Sequence, residues 1–377
     1  MTAVYLDWNA SGRLRPEASA AVTAALALTG NPSSVHAAGR AARRLVEEAR
    51  ERVAVLVGAA PGEVVFTSGG TEANMLALSP ALGDTLLVSA IEHPSVISGG
   101  RFAAVEQVPV TSAGVLDLTA LDQRLQGRAR PLVSLMLANN ETGVIQPVAQ
   151  AAAKVHAAGG LIHVDAIQAP GRIACDVAAL GADLLTLSAH KIGGPQGVGA
   201  LIRRAAANPA PLIIGGGQER GARAGTENVA GIAGFGAAAA AAADAQKQDA
   251  EGMVVLRDRL EAGIKEIEPR AVIFGANVPR LPNTTLFGVP GMKAETAVIA
   301  FDLEGFAVSS GAACSSGKVA PSHVLAAMAV APELSRSAIR VSLGYSTTGD
   351  DVETFLNAWA KLKDSLYKAR NKHEIAA

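Results

Sequence analysis

Short apolar runs bounded by Gly, Pro, Asn or Ser recur at Val4–Leu6, Glu63–Thr67, Leu86–Ser89, Leu132–Leu137, Leu161–Val164, Asp183–Leu187 and Val198–Ile202. Their length and boundaries predict strands. Between them the apolar period lengthens to that of a helix. Pro16–Leu28 is expected to be helical, with Pro16 at a tolerated early position. Ala37–Val57 is expected as a long amphipathic helix with Arg43, Arg44, Glu47, Glu48, Arg50 and Glu51 on its wet face. A further helix starts near Ala73. Strands alternating with helical patterns from 60 to 205 predict an α/β protein with a mostly parallel sheet covered on both faces. Val198–Ile202 is expected to run antiparallel, because its connection is short and Gly-rich.

The pattern changes past the middle of the chain. An Ala-rich helix is expected over 227–247 and a second over 249–267, with a domain boundary near 249. Beyond Pro269, strands near 271–274, 284–288 and 306–309 alternate with helices near 293–301 and 322–328. A last helix covers about 349–370, and Asn371 to Ala377 is expected to fray. No internal repeat is present.

Composition narrows the function classes. At 377 residues the chain is long enough for two domains, at roughly 100–200 residues each. An apolar share of 49% supports a large core, while aromatics at 3% and 39 glycines suit helices packed closely on a sheet. A net charge of −1 gives no electrostatic basis for binding nucleic acid or an anionic membrane. The start, Met1 to Asp7, shows no basic-then-apolar leader, and no uncharged apolar run is long enough to span a bilayer. Two cysteines make no disulfide framework, which points to a reducing cytoplasm. The seven histidines show no zinc-like spacing with cysteine, so no metal is expected.

The chemistry gathers at strand ends. Asp183–Leu187 runs into Ser188-Ala189-His190-Lys191-Ile192-Gly193-Gly194-Pro195, which places a lysine where a strand stops. On a parallel sheet, loops at the carboxyl ends of the strands converge on one edge, and ligands bind there. A lysine in such a place can form a Schiff base if its surroundings lower its pKa; alone, it reads equally as a solvated surface lysine. Ser68-Gly69-Gly70-Thr71-Glu72 joins a strand to a helix start, the geometry that binds phosphate through free backbone N–H groups. It lacks the Gly-Lys-Ser/Thr of a nucleotide-triphosphate loop and the GxGxxG of a dinucleotide turn, and an ordinary helix capped by Thr71 or Ser68 fits the same residues. His93, Asn140, and Asp165 with Gln168 stand just past three other strands. A cofactor with a phosphate, an aldehyde and a basic ring nitrogen uses all of these together: lysine for the aldehyde, aspartate for the protonated nitrogen, a helix N-terminus for the phosphate. Pyridoxal 5'-phosphate is that cofactor. The loop Gly215 to Thr226 is too polar and Gly-rich for a core and long enough to have a task of its own.

With these motifs in place, the chain resembles the cysteine desulfurases of the NifS/IscS type, fold-type I pyridoxal-phosphate enzymes of the class V aminotransferase-like family. The resemblance is nearly end to end. It runs through Tyr5-Leu6-Asp7, Gly30-Asn31-Pro32-Ser33, Phe66-Thr67-Ser68-Gly69-Gly70-Thr71-Glu72, Glu92-His93, Asn139-Asn140-Glu141 and His163-Val164-Asp165-Ala166-Ile167-Gln168. It continues through His190-Lys191, Gly221 to Thr226, Ser309 to Cys314 and Ile339 to Gly344. It implies a seven-stranded sheet in a large domain, 13–249, and a smaller α+β domain made of 1–12 and 250–377.

The resemblance also implies roles. Lys191 forms the Schiff base and removes the Cα proton, Asp165 pairs with the ring nitrogen and Gln168 with the ring hydroxyl, and His93 stacks on the ring and shuttles protons. Gly70, Thr71, Ser188 and His190 border the phosphate, with Thr226 reaching in from a partner subunit, so a homodimer is implied. Asn140 and Arg340 hold the carboxylate of L-cysteine, for which the guanidinium fork is suited. Cys314, among small residues in what reads as a mobile loop, is the nucleophile that takes the sulfur as a persulfide and leaves L-alanine; the thiolate is its reactive form. An iron–sulfur scaffold or sulfur-carrier protein is the implied acceptor. Cys175 reads as a small core residue. Two other readings compete: a selenocysteine lyase or another class V enzyme such as an aminotransferase, and a non-catalytic sulfur-relay scaffold. Retention of Lys191 and Asp165 argues against the last.

Overall fold

In the computed structural model, which describes residues 3–205, 207–310, 314–315, 318–319 and 321–374, the apolar runs pair largely as their pattern predicts. The chain opens with β1 (Val4–Tyr5), α1 (Pro16–Leu26) and α2 (Ala37–Leu56). Then come β2 (Val64–Thr67), α3 (Gly70–Ala77), β3 (Thr85–Ser89), α4 (Pro94–Ile97), β4 (Glu106–Val108), α5 (Leu118–Leu125), β5 (Pro131–Met136), α6 (Val148–Ala157), β6 (Leu161–Asp165), β7 (Leu184–Ser188) and β8 (Gly199–Arg203). The seven strands β2 to β8 form one sheet in the order β2-β8-β7-β6-β5-β3-β4. All neighbours are parallel except β8, which runs antiparallel to both β2 and β7.

Alternate residues of each strand feed opposite faces. Val64, Phe66, Leu87, Val133 and Leu185 join the core under α2, while Val65, Leu86, Val88, Leu132 and Leu184 pack with Ala73 and Leu76 of α3. Both faces are covered, which explains why these strands read as unbroken apolar runs.

The remaining elements are α7 (Val229–Ile267), β9 (Val272–Ile273), β10 (Thr284–Gly288), α8 (Ala294–Leu303), β11 (Phe306–Ala307), β12 (Ser309–Ser310), β13 (Cys314–Ser315), β14 (Lys318–Val319), α9 (His323–Ala327), α10 (Pro332–Ser335), β15 (Ile339–Ser342) and α11 (Gly349–Glu374). A second sheet has the antiparallel order β12-β15-β10-β9. Its core is aromatic: Phe301 stacks on Phe355 at 4.8 Å, and Trp359 meets Phe287 edge-on. The N-terminal segment is stitched to it, with β1 paired to β11 and Leu6 buried in the same core. Among the described residues no helix is long and apolar enough to cross a membrane.

Three expectations need correction. One 39-residue helix, α7, replaces the pair expected on either side of 249. The joining residues Gln246-Lys247-Gln248-Asp249 continue the helix, because Gln and Lys are good helix formers and no proline interrupts. Arg50 is buried, not on the wet face of α2. Ile339–Ser342 is a full strand of the second sheet, where the sequence pattern predicted none.

Candidate active site

Strand ends at one edge of the large sheet deliver most of the expected residues to one cavity of about 350 Å³. Gly70 and Thr71 enter from the start of α3, and His93 from the turn after β3. Asn140 follows β5, Asp165 ends β6, and Gln168 lies beyond it. Ser188, His190 and Lys191 continue from β7, and Arg340 comes from β15 of the second sheet. A larger cavity of about 600 Å³, between the N-terminal segment and α11, holds none of them.

Lys191 ends a single 3₁₀ turn, Ala189–Lys191, that follows β7 directly. Its Nζ donates to the carbonyl oxygens of Asn9 at 2.5 Å and Ala10 at 2.8 Å. Burial, with the nearby guanidinium groups of Arg340 and Arg172, brings its pKa down to about 7. A buried amine near a cation gives up its proton easily, as a nucleophilic or basic lysine must. Arg172 makes no ion pair among the described residues; it donates to both the carbonyl and the side-chain oxygen of Gln168. The Gln168 amide in turn donates to the Asn9 carbonyl.

Asp165 is buried and held on both oxygens. Oδ2 accepts from Asn74 Nδ2 at 2.9 Å, and Oδ1 from the Ile167 backbone N–H at 3.0 Å. His93 caps α4, its Nδ1 accepting from the Ser95 N–H. The ring stands open at the cavity mouth, and the loss of water around it lowers its pKa, with Asp165 pulling the other way. His190 is half-buried beside Ser11; burial and the Lys191 charge bring it down to about 4, so the ring is neutral.

The start of α3 carries no side-chain cap, so neither Thr71 nor Ser68 plays that part. Ser68 instead donates to the Glu72 carboxylate, which also pairs with Arg223 at 3.0 Å. The first N–H groups of the helix therefore have no side chain filling them. Gly199 lets this turn sit against β8: a Cβ there would lie 2.6 Å from the Gly69 carbonyl carbon.

Arg340 donates to Asp7 at 2.7 Å and to the Asn140 carbonyl at 3.0 Å, while its buried Nε has no partner among the described residues. Arg340 lines the cavity, and a guanidinium fork there suits an anion such as a carboxylate. Glu141, buried next to it, accepts from Ser322 at 2.6 Å, and burial raises its pKa to about 7. Glu92 is fully buried with one oxygen unpartnered, and burial followed by the Asp165 charge pushes its carboxyl well above the usual range.

Thr226 lies elsewhere, and the placement of the Cys314 thiol is not described. Thr226 lines a separate cavity of about 250 Å³ with Arg223 and Glu227 and does not reach the first. For Cys314 the backbone alone is described: it pairs with Val319, and Ser315 with Lys318, in a two-residue antiparallel ribbon where a plain loop was expected. The Cys314 side chain and residues 311–313, 316–317 and 320 lie outside the described residues. Cys175 is a free, buried thiol whose pKa burial pushes up to about 12, which makes it a poor nucleophile.

The donor set fits pyridoxal phosphate. It combines an uncapped helix start for the phosphate, a doubly held carboxylate for a ring nitrogen, and an amine poised to lose its proton. Sequence reasoning assigned no role to Asn9, Asn74, Arg172 or His323. Asn9 and His323 line the cavity, and Asn74 and Arg172 hold residues that do. Asn74, one turn after Thr71 in the same helix, was the most accessible of these to pattern reading.

Comparison with known proteins agrees with the geometry. The family model described as Aminotransferase class-V matches residues 4–355. The chain is 43% identical to a cysteine desulfurase of Cereibacter sphaeroides, covering 97% of each chain. It is 39% identical to the cysteine desulfurase IscS of Dictyoglomus turgidum, over 96% of this chain and 95% of that one. The crystal structure of a NifS-like protein from Rickettsia africae superposes with a TM-score of 0.90 at 37% identity, over 96% of this chain and 99% of the other.

Proposed function

The chain belongs to the aminotransferase class-V family and is a pyridoxal-phosphate-dependent cysteine desulfurase; on that premise we propose how its residues divide the work. The observation that carries the assignment is the single cavity that brings the Lys191 amine, the Asp165 carboxylate, the open start of α3 and the Arg340 guanidinium together. Bound there, pyridoxal phosphate supplies an aldehyde for an amine and a ring that draws electrons from the substrate's Cα. Gly70, Thr71, Ser188 and His190 would hold the phosphate, Asp165 would pair with the ring nitrogen and Gln168 with the ring hydroxyl, and His93 would stack on the ring. Arg340 and Asn140 receive the carboxylate of L-cysteine. Lys191, its pKa near 7, accepts the Cα proton at Nζ and can return it.

Cys314 attacks the substrate sulfur. The S–C bond breaks, the sulfur stays on Cys314 as a persulfide, and the carbon skeleton leaves as L-alanine once protonated. The ribbon that carries Cys314 springs from β12, whose Ser309 and Ser310 line the cavity, and returns at Ser322 and His323. An acceptor protein, an iron–sulfur scaffold or a sulfur carrier, then removes the sulfur in the cytoplasm.

The chain divides into a large domain, 13–249, and a small one, 1–12 with 250–377, which share α7. Two copies form a homodimer in which Thr226 of each chain completes the phosphate site of the other. Supporting this, Thr226 lies outside its own chain's cavity, and Ile214 in the adjoining segment is 87% exposed. The test is to supply L-cysteine and a thiol reductant to the purified yellow protein. Alanine and sulfide should appear in equal amounts; alanine without sulfur release, or pyruvate as the main product, would overturn the assignment.

A further inference from the structure

Behind Asp165 lies a line of polar side chains that the desulfurase reaction as described does not use. Ser134 on β5, His163 on β6, Thr186 on β7 and Asn74 on α3 are all fully buried at 0% exposure. Ser134 Oγ lies 2.8 Å from His163 Nδ1, His163 Nε2 3.3 Å from Thr186 Oγ1, and Thr186 Oγ1 2.7 Å from Asn74 Oδ1. Asn74 Nδ2 then reaches Asp165 Oδ2 and Ser95 Oγ, both at 2.9 Å. Ser95 Oγ lies 2.8 Å from His93 Nδ1.

The direction of every bond follows by elimination. An ionised carboxylate only accepts, so the Asn74 amide must turn its NH₂ toward Asp165 and its oxygen toward Thr186. The single Thr186 hydrogen is spent on that oxygen, so Thr186 Oγ1 must accept from His163 Nε2–H. Burial pushes His163 down to about 3, so the ring is neutral and its Nδ1 accepts from Ser134. The second Asn74 hydrogen goes to Ser95 Oγ, leaving the Ser95 hydroxyl hydrogen for His93 Nδ1. His93 therefore carries its proton on Nε2. Such chains polarise along their length, each donor strengthening the next.

We propose that Ser134, His163, Thr186 and Asn74 form a one-way donor relay that holds the proton shared between Asp165 and the cofactor's ring nitrogen on the nitrogen. Asn74 is the hub, since one of its hydrogens goes to Asp165 and the other to Ser95 Oγ, which meets His93. These are positioning residues: none of them touches substrate. Donors aimed at Asp165 oppose its taking the proton, and a protonated ring nitrogen is the stronger electron sink. The proposal rests on the reading that Asp165 faces the ring nitrogen.

The test is to load the protein with pyridoxal phosphate labelled with ¹⁵N in the ring and record the nitrogen signal by NMR. The wild-type protein should give the protonated-nitrogen position. Thr186→Val, which removes the hydroxyl with little change of shape, should move the signal at least halfway to the deprotonated position, and Thr186→Ser should restore it. Ser134→Ala, which cuts only the far end, should give a smaller shift the same way and serves if Thr186→Val does not fold. In the wild type, the His163 ring, identified by its loss in His163→Gln, should show Nε2–H at every pH at which the fold persists. An unmoved nitrogen signal in Thr186→Val and Ser134→Ala, or an Nδ1–H tautomer at His163, overturns the relay. Asp165→Asn separates the two readings. If it shifts the signal and the relay variants do not, only the relay fails. If Asp165→Asn leaves the signal in place, the assignment of Asp165 itself fails.

Discussion

Arg50 and Glu219 stand 169 positions apart in sequence and meet through two parallel hydrogen bonds, each 2.8 Å, in the interior. Arg50 also donates to the Val64 carbonyl and lies over the Phe66 ring at 4.8 Å, while Glu219 accepts from the Phe66 N–H. The pair ties the loop that leads to Thr226 onto β2. It also holds Glu219 and Arg220 at φ 45° and 56°, backbone that non-glycine residues rarely adopt.

Glu219→Gln removes the buried carboxylate from Arg50 and leaves it only the exposed Glu47 as counter-ion. Loss of one partner of a buried pair costs about 3–5 kcal/mol. Guanidinium denaturation should show a loss of that size, and a change below about 1 kcal/mol would contradict the clamp. The double replacement Arg50→Met with Glu219→Leu should recover much of it, since no charge is then stranded.

Glu141 makes stability depend on pH. Its folded pKa, about 7, lies above the ordinary 4.5, so between those values the folded chain binds more protons than the unfolded chain. Stability from this group is full below pH 4.5 and falls as pH rises toward 7, by ~3 kcal/mol for a shift of that size. Glu141→Gln should remove this slope. The wild-type minus mutant difference in unfolding free energy, measured across that range, checks it; a flat difference would count against burial as the cause.

Lys191 in the cofactor-free protein should react with an amine-acylating reagent along a titration curve centred near pH 7. A lysine free in water follows a curve centred at about 10. Arg340→Gln should move the Lys191 curve upward, because Arg340 is the largest charge contribution lowering it after burial. Mass spectrometry of the labelled peptide gives the curve, and a midpoint near 10 would remove the case for a poised amine.

Arg340→Gln should also act on substrate binding. Losing a charged hydrogen bond to a carboxylate costs about 1.5–3 kcal/mol, or roughly a 10- to 100-fold drop in kcat/KM carried mainly by KM. Cofactor absorbance should be unchanged. A drop confined to kcat would place Arg340 outside the substrate's carboxylate site.

Much of this was legible in the chain. Six of the seven strands of the large sheet, their parallel order and the antiparallel return at β8 followed from run length and Gly-rich connections, whereas the short edge strand β4 has no apolar run to mark it and Val4–Leu6 pairs with β11 instead. Residues that end strands were legible for the same reason: topology alone sends His93, Asp165 and Lys191 to one edge. What escaped were groups whose roles depend on contacts distant in sequence. Arg50 lies among charged neighbours on an amphipathic helix, and it is Glu219 from a far loop that pairs with it in the interior. His163 and Thr186 look like ordinary strand residues, because neighbouring strands set their partnership and period cannot show it. Asn9 acts through its backbone carbonyl on Lys191, which no side-chain pattern reveals.

The most direct test of the whole account separates the two cysteines. Stopped-flow absorbance and alanine formation are followed together as L-cysteine is mixed with pyridoxal-phosphate-loaded Cys314→Ser and Cys175→Ser. Cys314→Ser should keep its yellow colour and still change its spectrum on mixing, because Lys191, Asp165 and Arg340 are intact, yet form no alanine and no persulfide. Cys175→Ser should turn over, losing at most some stability from a hydroxyl in a packed site. Alanine from Cys314→Ser at the wild-type rate, or its absence in a folded Cys175→Ser, would contradict the assignment of Cys314 as the sulfur acceptor.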